Sequence, residues 1–431
     1  MDRLTIWLNK LVKIVVVVAA CYPPCLFAQQ MSSLSLQQAF ELAEKNYPLI
    51  RQRDLLKQTE KLTIENLHSG FLPQLAFNVQ GTYQSDVTRV DIPIPGVKVP
   101  SQSRDQYKVV AEVSQLLYDG GLTRSQQNLQ NLNTAVEEKR LEVELYNVKT
   151  RVSQVYFAIL YQDELLNQAR LVQKDIEAGI DKVSPQVQNG VALRSNLLVL
   201  QAQLLQAKQK ASEIAINRKG LLDVLGLFIN QAVPTGGVLQ VTVNNPTTDT
   251  VVERPEIKMF QSQSQLLAGQ QQLIRARNLP KAAAFVQGGY GRPALNLLSN
   301  EFKPFYITGI RLNWSLGGLY NANRDKRLTD LNRQSVDVQK DVFLLNTRSQ
   351  LKQQKADIEK FAELVNSDKE IIQLRRQITT SAEAQLENAV ITANDYLLQV
   401  NAEDAARQAL ILHQIQLQQA TVNYAITLGN M

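Results

Sequence analysis

Two hydrophobic periods alternate along the chain. After Pro73, positions 75, 77, 79, 81 and 83 are Leu, Phe, Val, Gly and Tyr, while Gln74, Asn78, Gln80 and Thr82 fall between them. This period of two predicts a strand about ten residues long, enough to cross a bilayer at a tilt. A return strand places Tyr107, Val109, Ala111 and Val113 on one face and Lys108, Glu112 and Ser114 on the other. Further on, Tyr306, Thr308, Ile310, Leu312 and Trp314 oppose Gly309, Arg311, Asn313 and Ser315. Around Ala282–Tyr290 the alternation is weakest, with Phe285 and Gln287 on the inner face. The four strands are expected at about 73–84, 107–117, 281–291 and 305–316. Between them the period changes. From Leu122 to Gln188 the only Pro is Pro185 and the only Gly is Gly179, and from Leu319 to Asn388 there is neither. Each stretch is long enough for a helix of roughly 100 Å. Leu145, Val148, Val152, Val155 and Ile159 follow the 3,4 spacing of a coiled-coil seam. Each long helix is followed by a shorter one.

These elements recur in order, so the chain reads as an internal duplication. Pro48 to Pro73 and Pro255 to Pro280 are equal intervals of 25 residues. Gly81-Thr82-Tyr83 matches Gly288-Gly289-Tyr290, and Gly120-Gly121-Leu122 matches Gly317-Gly318-Leu319. Leu225-Gly226 and Leu428-Gly429 close the halves, giving repeats at 29–229 and 254–431. The linker at 230–253 holds a possible short strand at Val238–Val243. Residues 1–28 read as a signal peptide: Arg3, Lys10 and Lys13 precede the apolar run Leu11–Ala20, and Leu26-Phe27-Ala28 offers a cleavage site. Val18-Ala19-Ala20-Cys21 also resembles a bacterial lipobox, so Cys21 is either lipidated or removed. Either way the chain is exported. The alternating strands suit lipid on one side and a wet lumen on the other, but a soluble sheet packed on a helix gives the same pattern. In the membrane reading, four strands cannot close a barrel around a channel, and open edges in lipid are costly, so the chain must oligomerise.

Composition narrows the chemistry. Hydrophobic residues make up 44% and charged residues 20%, with only 19 Gly and 14 Pro, which favours long helices over a many-turned all-β chain. The net charge of +6 is a mild excess and gives no case for nucleic acid. His68, His413, Cys21 and Cys25 are the only His and Cys residues, so no multi-Cys/His zinc site is expected. Phosphate-binding and nucleophile motifs are lacking, and no catalytic residue, cofactor or metal is expected. His68 reads as a capping or interfacial residue, and His413 as a packed or solvated side chain.

Four stretches carry a family resemblance: 36–48 (LQQAFELAEKNYP), Phe71-Leu72-Pro73-Gln74-Leu75, Leu117-Tyr118-Asp119-Gly120-Gly121, and 191–198 (VALRSNLL). In order and spacing they resemble the TolC-like outer-membrane efflux proteins across almost the whole exported chain. The resemblance implies a mainly α fold with a β-barrel part. Each half would supply a two-stranded membrane β-hairpin and long coiled-coil helices. A homotrimer would form a 12-stranded barrel continued by an α-helical tunnel through the periplasm of a Gram-negative bacterium. It also implies a passive exit duct for small molecules or proteins. These would be handed over by an inner-membrane pump (RND or ABC type) through a periplasmic adaptor. The alternative is a periplasmic coiled-coil structural or envelope-tethering protein.

Residue expectations follow. Leu75, Phe77, Val79, Val109, Val113, Ile310 and Leu312 should face outer-membrane lipid. The adaptor-docking tip should comprise Gly190, Val191 and Ala192 with Val390, Ile391 and Thr392, although Ala389 stands where the family usually has Gly. In that family acids just after the second tip line a gate. The matching acid is Asp395, with Gln399 following Leu398 where a second acid is often found. Arg194, Ser195 and Asn196 fill the equivalent first-half positions, and Ile391 replaces the family's basic partner. Asp395 could equally cap its helix.

Overall fold

The computed structural model describes residues 33–88, 101–241, 251–296 and 299–431. The signal-peptide and Cys21 readings, and parts of the linker and of the loops near 84–106 and 291–304, lie outside the described residues.

Strand β1 (Ser33–Ser35) leads into helix α1 (Leu36–Asn46), a short 3-10 turn (Pro48–Arg51) and α2 (Gln52–Ser69). Strands β2 (Gln74–Tyr83) and β3 (Asp105–Tyr118) follow, then α3 (Leu122–Gln188) and α4 (Arg194–Ile229). After β4 (Val238–Gln240) come α5 (Pro255–Arg277), β5 (Lys281–Arg292), β6 (Lys303–Asn313), α6 (Leu319–Glu387) and α7 (Ala393–Leu428). The long helices have 67 and 69 residues and the helices after them 36 each. Pro185 sits in the last turn of α3, where it has no N–H to offer the carbonyl four residues back and only three helical residues follow it. Neither β1 nor α1 stood out as a separate element in the apolar pattern. A polar signal marks the start of α1. Ser35 Oγ accepts the Gln38 N–H at 3.2 Å and Gln38 Oε1 accepts the Ser35 N–H at 3.1 Å, a capping box.

The described chain forms two compact units that cut across the sequence halves: 33–39, 155–241 and 379–404 in one, and 40–154, 251–378 and 405–431 in the other.

In the first unit β1 pairs parallel with β4, with Leu34 opposite Leu239. Tyr156 is fully buried beneath them, its hydroxyl 2.7 Å from Leu34 O and 2.9 Å from Gln240 O. Burial pushes this phenol's pKa upward. Arg218 of α4 pairs with Asp163 of α3. Along α3, Leu145, Val148, Val152 and Ile159 are buried as the heptad spacing predicts, but Val155 is half-buried and Tyr156 takes its place. A straight helix turns every 3.6 residues rather than 3.5, so a strict seam drifts by one position.

In the second unit the four long strands join in one antiparallel sheet, in the order β2-β3-β5-β6. Strand β5, weakest in the sequence pattern, is central and paired on both sides. Its small residues make room for its neighbours: a Cβ on Gly289 would lie 2.6 Å from the Phe305 ring and 2.8 Å from Val109 O. Below the sheet Tyr146 donates its hydroxyl to Ile426 O at 2.7 Å, and burial pushes its pKa up to about 12. His413 is neither simply packed nor solvated. Its Nδ1 lies 2.6 Å from Asp368 Oδ2 on α6, and its ring stacks on Phe361. His68 is exposed in the last turn of α2.

Candidate functional site: an unclosed sheet and two hairpin turns

Directly opposed residues in an antiparallel pair share a face. Leu75 therefore stands beside Val113 and Val286, and Val79 beside Val109 and Tyr290. Continuing to β6, Ala284 is opposite Ile310 and Ala282 opposite Leu312. All seven residues expected at lipid lie on this one face, and all are exposed in the single chain. Phe77 is 71% exposed, Val79 78% and Ile310 74%. Tyr83, Tyr107, Tyr290 and Tyr306 extend the face toward the loop end. There Tyr107 and Tyr290 stack on either side of Phe302, at ring-centroid distances of 6.4 and 5.8 Å. An apolar face this bare costs heavily in water and is stable only against lipid or another apolar surface.

The opposite face carries Gln74, Asn78, Gln80, Thr82, Gln106, Lys108, Glu112, Gln287 and Arg311. Arg311 bonds Glu112 at 3.3 Å while its guanidinium lies 4.6 Å from the Phe285 centroid. Strands β2 and β6 end the sheet, so among the described residues each leaves a backbone edge unpaired.

The two turns between long and short helices lie in the other unit and are built alike. Val191 N–H bonds Gln186 O at 2.8 Å and Gly190 N–H bonds Val187 O at 3.2 Å. Val390 N–H bonds Gln385 O at 2.8 Å and Ala389 N–H bonds Leu386 O at 3.0 Å. Both are Schellman endings, which need a left-handed residue just past the helix. Gly190 supplies it at φ 73°, and Ala389 adopts it at φ 57° despite its Cβ.

The tip residues do not all point outward. Val191, Val390 and Thr392 are exposed, and so is Gly190. Ala192 is half-buried, and Ile391 packs against the core formed by Val183, Leu200, Ala382, Leu386, Tyr396 and Val400. Asp395 is exposed and closes a capping box. Its Oδ2 accepts the Thr392 N–H at 3.1 Å and the Thr392 hydroxyl at 2.7 Å, while its own N–H bonds Thr392 Oγ1 at 3.2 Å. The Thr392 side-chain and backbone donations hold its carboxyl below the usual carboxylate range. The first turn has no counterpart: Leu193 caps α4 without a side-chain bond, leaving Arg194 and Ser195 exposed and Asn196 half-buried in its first turn. Gln399 is half-buried one turn beyond Asp395.

Sequence reasoning missed the residues that join the two hairpins below these turns. Lys182 of α3 bonds Glu383 at 2.6 Å and Glu387 at 3.3 Å on α6, and these contacts, led by the Glu383 hydrogen bond, raise its pKa. Tyr396 donates its hydroxyl to Asp175 O at 3.1 Å, and its ring lies where a Cβ on Gly179 would meet it at 3.1 Å. The one glycine inside the 67-residue helix was the available signal.

Among the described residues no helix is long and apolar enough to cross a membrane, and no group of three or more His, Cys, Asp or Glu side chains could hold a metal ion.

The fold is that of the outer-membrane channels. The outer membrane protein VceC from Vibrio cholerae matches at TM-score 0.63 and 13% identity, over 91% of this chain and 96% of that one. The Campylobacter jejuni CmeC outer membrane channel matches at TM-score 0.62 and 14% identity, over 92% and 85%. The open state of the Neisseria gonorrhoeae MtrE outer membrane channel matches at TM-score 0.60 and 16% identity, over 91% and 88%. The likeness to TolC-like proteins read from four short motifs thus extends to the whole fold. No family model matches the sequence, and no curated protein matches it.

Proposed function

We propose that this chain is the outer-membrane channel of a tripartite efflux or export system in a Gram-negative bacterium. It forms a passive homotrimeric exit duct with no enzymatic step. The observation that carries the reading is the unclosed sheet, with an apolar face, a polar face and two free edges. Strands alternate in direction across it, so the β2 edge of one copy is antiparallel to the β6 edge of another. Joining them edge to edge satisfies the backbone groups that lipid cannot, and three copies give twelve strands.

The helices flanking those edges support the same joint. Helix α2 runs directly into β2, and α6 follows β6. Helix α2 exposes Leu55 and Leu62, and α6 exposes Leu328, Leu331, Val338, Val342 and Leu345 at seam spacing. Pairing β2 with a neighbour's β6 brings these two unpartnered stripes together as knobs and holes.

The α-helical part is proposed to continue the duct through the periplasm, with Gly190, Val191, Ala192, Val390 and Thr392 meeting a periplasmic adaptor linked to an inner-membrane pump. Three Asp395 carboxylates converging at the tips are proposed to form a cation-attracting constriction, in addition to each acid capping its own helix. Purified protein in planar bilayers tests the reading. Trimers giving uniform conductance steps are expected, and a protein that stays monomeric or leaves membranes in carbonate overturns it. In the same assay Asp395→Ala should change cation selectivity and divalent-cation block. If neither moves, Asp395 is a helix cap alone.

A further inference from the structure

The polar face of the sheet carries five charged side chains: Lys108 and Glu112 of β3, Lys281 of β5, and Lys303 and Arg311 of β6. Strand β2 adds only neutral residues to that face. On the apolar face the charged pair Asp105 and Arg292 is bound to itself at the loop end. The polar face is not neutralised in the same way. Arg311 is matched by Glu112 at 3.3 Å, and Lys303 by Glu301 at 2.8 Å. Lys108 and Lys281 have no carboxylate partner among the described residues, so these two cations stand uncompensated there.

These two lysines stand at opposite ends of β5. Lys108 is in register with Gly291 and Lys281 with Asn313. Ten residues of strand separate the levels, about 33 Å at 3.3 Å per residue, or about 25 Å along the axis of a barrel tilted near 40°. That exceeds two Debye lengths at 0.1 M salt, so each level acts on a passing ion separately. The Lys108 stem is laid across Gly291, where a Cβ would come within 2.9 Å of its Cγ. Around a three-fold axis each lysine becomes a ring of three. Within a wall backed by lipid the low dielectric focuses the field of such rings into the lumen.

We propose that the barrel lumen favours anionic over cationic solutes, with Lys108 and Lys281 setting the preference. The proposal rests on the channel reading above and names its solute class. It concerns the barrel alone, since Asp395 at the tips carries the opposite sign.

The experiment measures reversal potentials of reconstituted trimers across a tenfold KCl gradient, with 0.1 M on the dilute side. It is done in the Asp395→Ala background so that the tip carboxylates cannot mask the barrel. The parent is expected to pass chloride in preference to potassium, and Lys108→Gln with Lys281→Gln to move the reversal potential toward the potassium equilibrium value. A potential unmoved by the double substitution, or moved the other way, overturns the proposal. If the double variant does not assemble, the parent decides alone: a potassium preference overturns the assignment and a chloride preference supports it. A parent giving no conductance steps sinks the channel reading itself, which distinguishes the two failures.

Discussion

At the scale of single residues, the two hairpin turns differ in one atom that matters. Both end a long helix with a left-handed residue, Gly190 at φ 73° and Ala389 at φ 57°. An L-residue with a Cβ pays roughly 1–2 kcal/mol in that region, and glycine does not. Ala389→Gly is therefore expected to raise stability by about 1 kcal/mol, and Gly190→Ala to lower it by a similar amount. Paired thermal melts of detergent-solubilised protein check this, and equal melts for both variants would contradict the turn geometry. The paired motifs Gly120-Gly121 and Gly317-Gly318 make the opposite point. Gly120 and Gly121 have φ of 71° and 76°, whereas Gly317 and Gly318 do not adopt positive values. Gly318 instead yields space to Asn278, whose Oδ1 would lie 2.1 Å from an added Cβ. Matching letters in the two halves thus serve different physical needs. The capping box was legible in part, because an acid three residues after Thr392 is a helix-start signal.

At the scale of elements, alternation gave the strand faces correctly, because a period of two leaves each side chain only two directions. Phe77→Arg is expected to cost about 2–4 kcal/mol if it lies near the bilayer midplane. Substitution of Gln80, on the polar face, should leave assembly intact. The trimer fraction after reconstitution decides, and equal tolerance at both positions would refute the register of β2 with β3. The same measurement applies to the helix stripes: Val338→Glu on α6 should lower the trimer fraction while leaving helix content unchanged. Strand β5 was the hardest to read. Its Ala and Gly residues carry little hydrophobic signal, and Gly289 and Gly291 are required because Phe305, Lys108 and the neighbouring backbone occupy the space a Cβ would need.

For the whole molecule, the adaptor contact proposed above falls on the exposed turn residues. Val191 and Val390 are 66% and 71% exposed, whereas the core beneath the turns is formed by residues such as Leu200, Leu386 and Tyr396. Replacing either with Asp should abolish export while leaving trimers in the membrane, since neither side chain supports the core. Efflux measured alongside membrane trimer content checks this, and loss of the trimer would assign the turns a folding role instead.

The sequence by itself determined the order of the long strands and helices, the lengths of the long helices and the two faces of the four long strands. These depend on local periodicity, and each residue bears witness to its own position. Only the tertiary structure decided that the four strands form one sheet, because pairing depends on backbone groups that every residue shares. It also decided that Tyr156 rather than Val155 fills the seam, that His413 meets Asp368, and that Lys182 ties the hairpins together. Those partners lie 45 residues apart for His413 and 201 for Lys182. No local pattern in the chain links residues that far apart, and what brings them together is the packing of whole helices against one another.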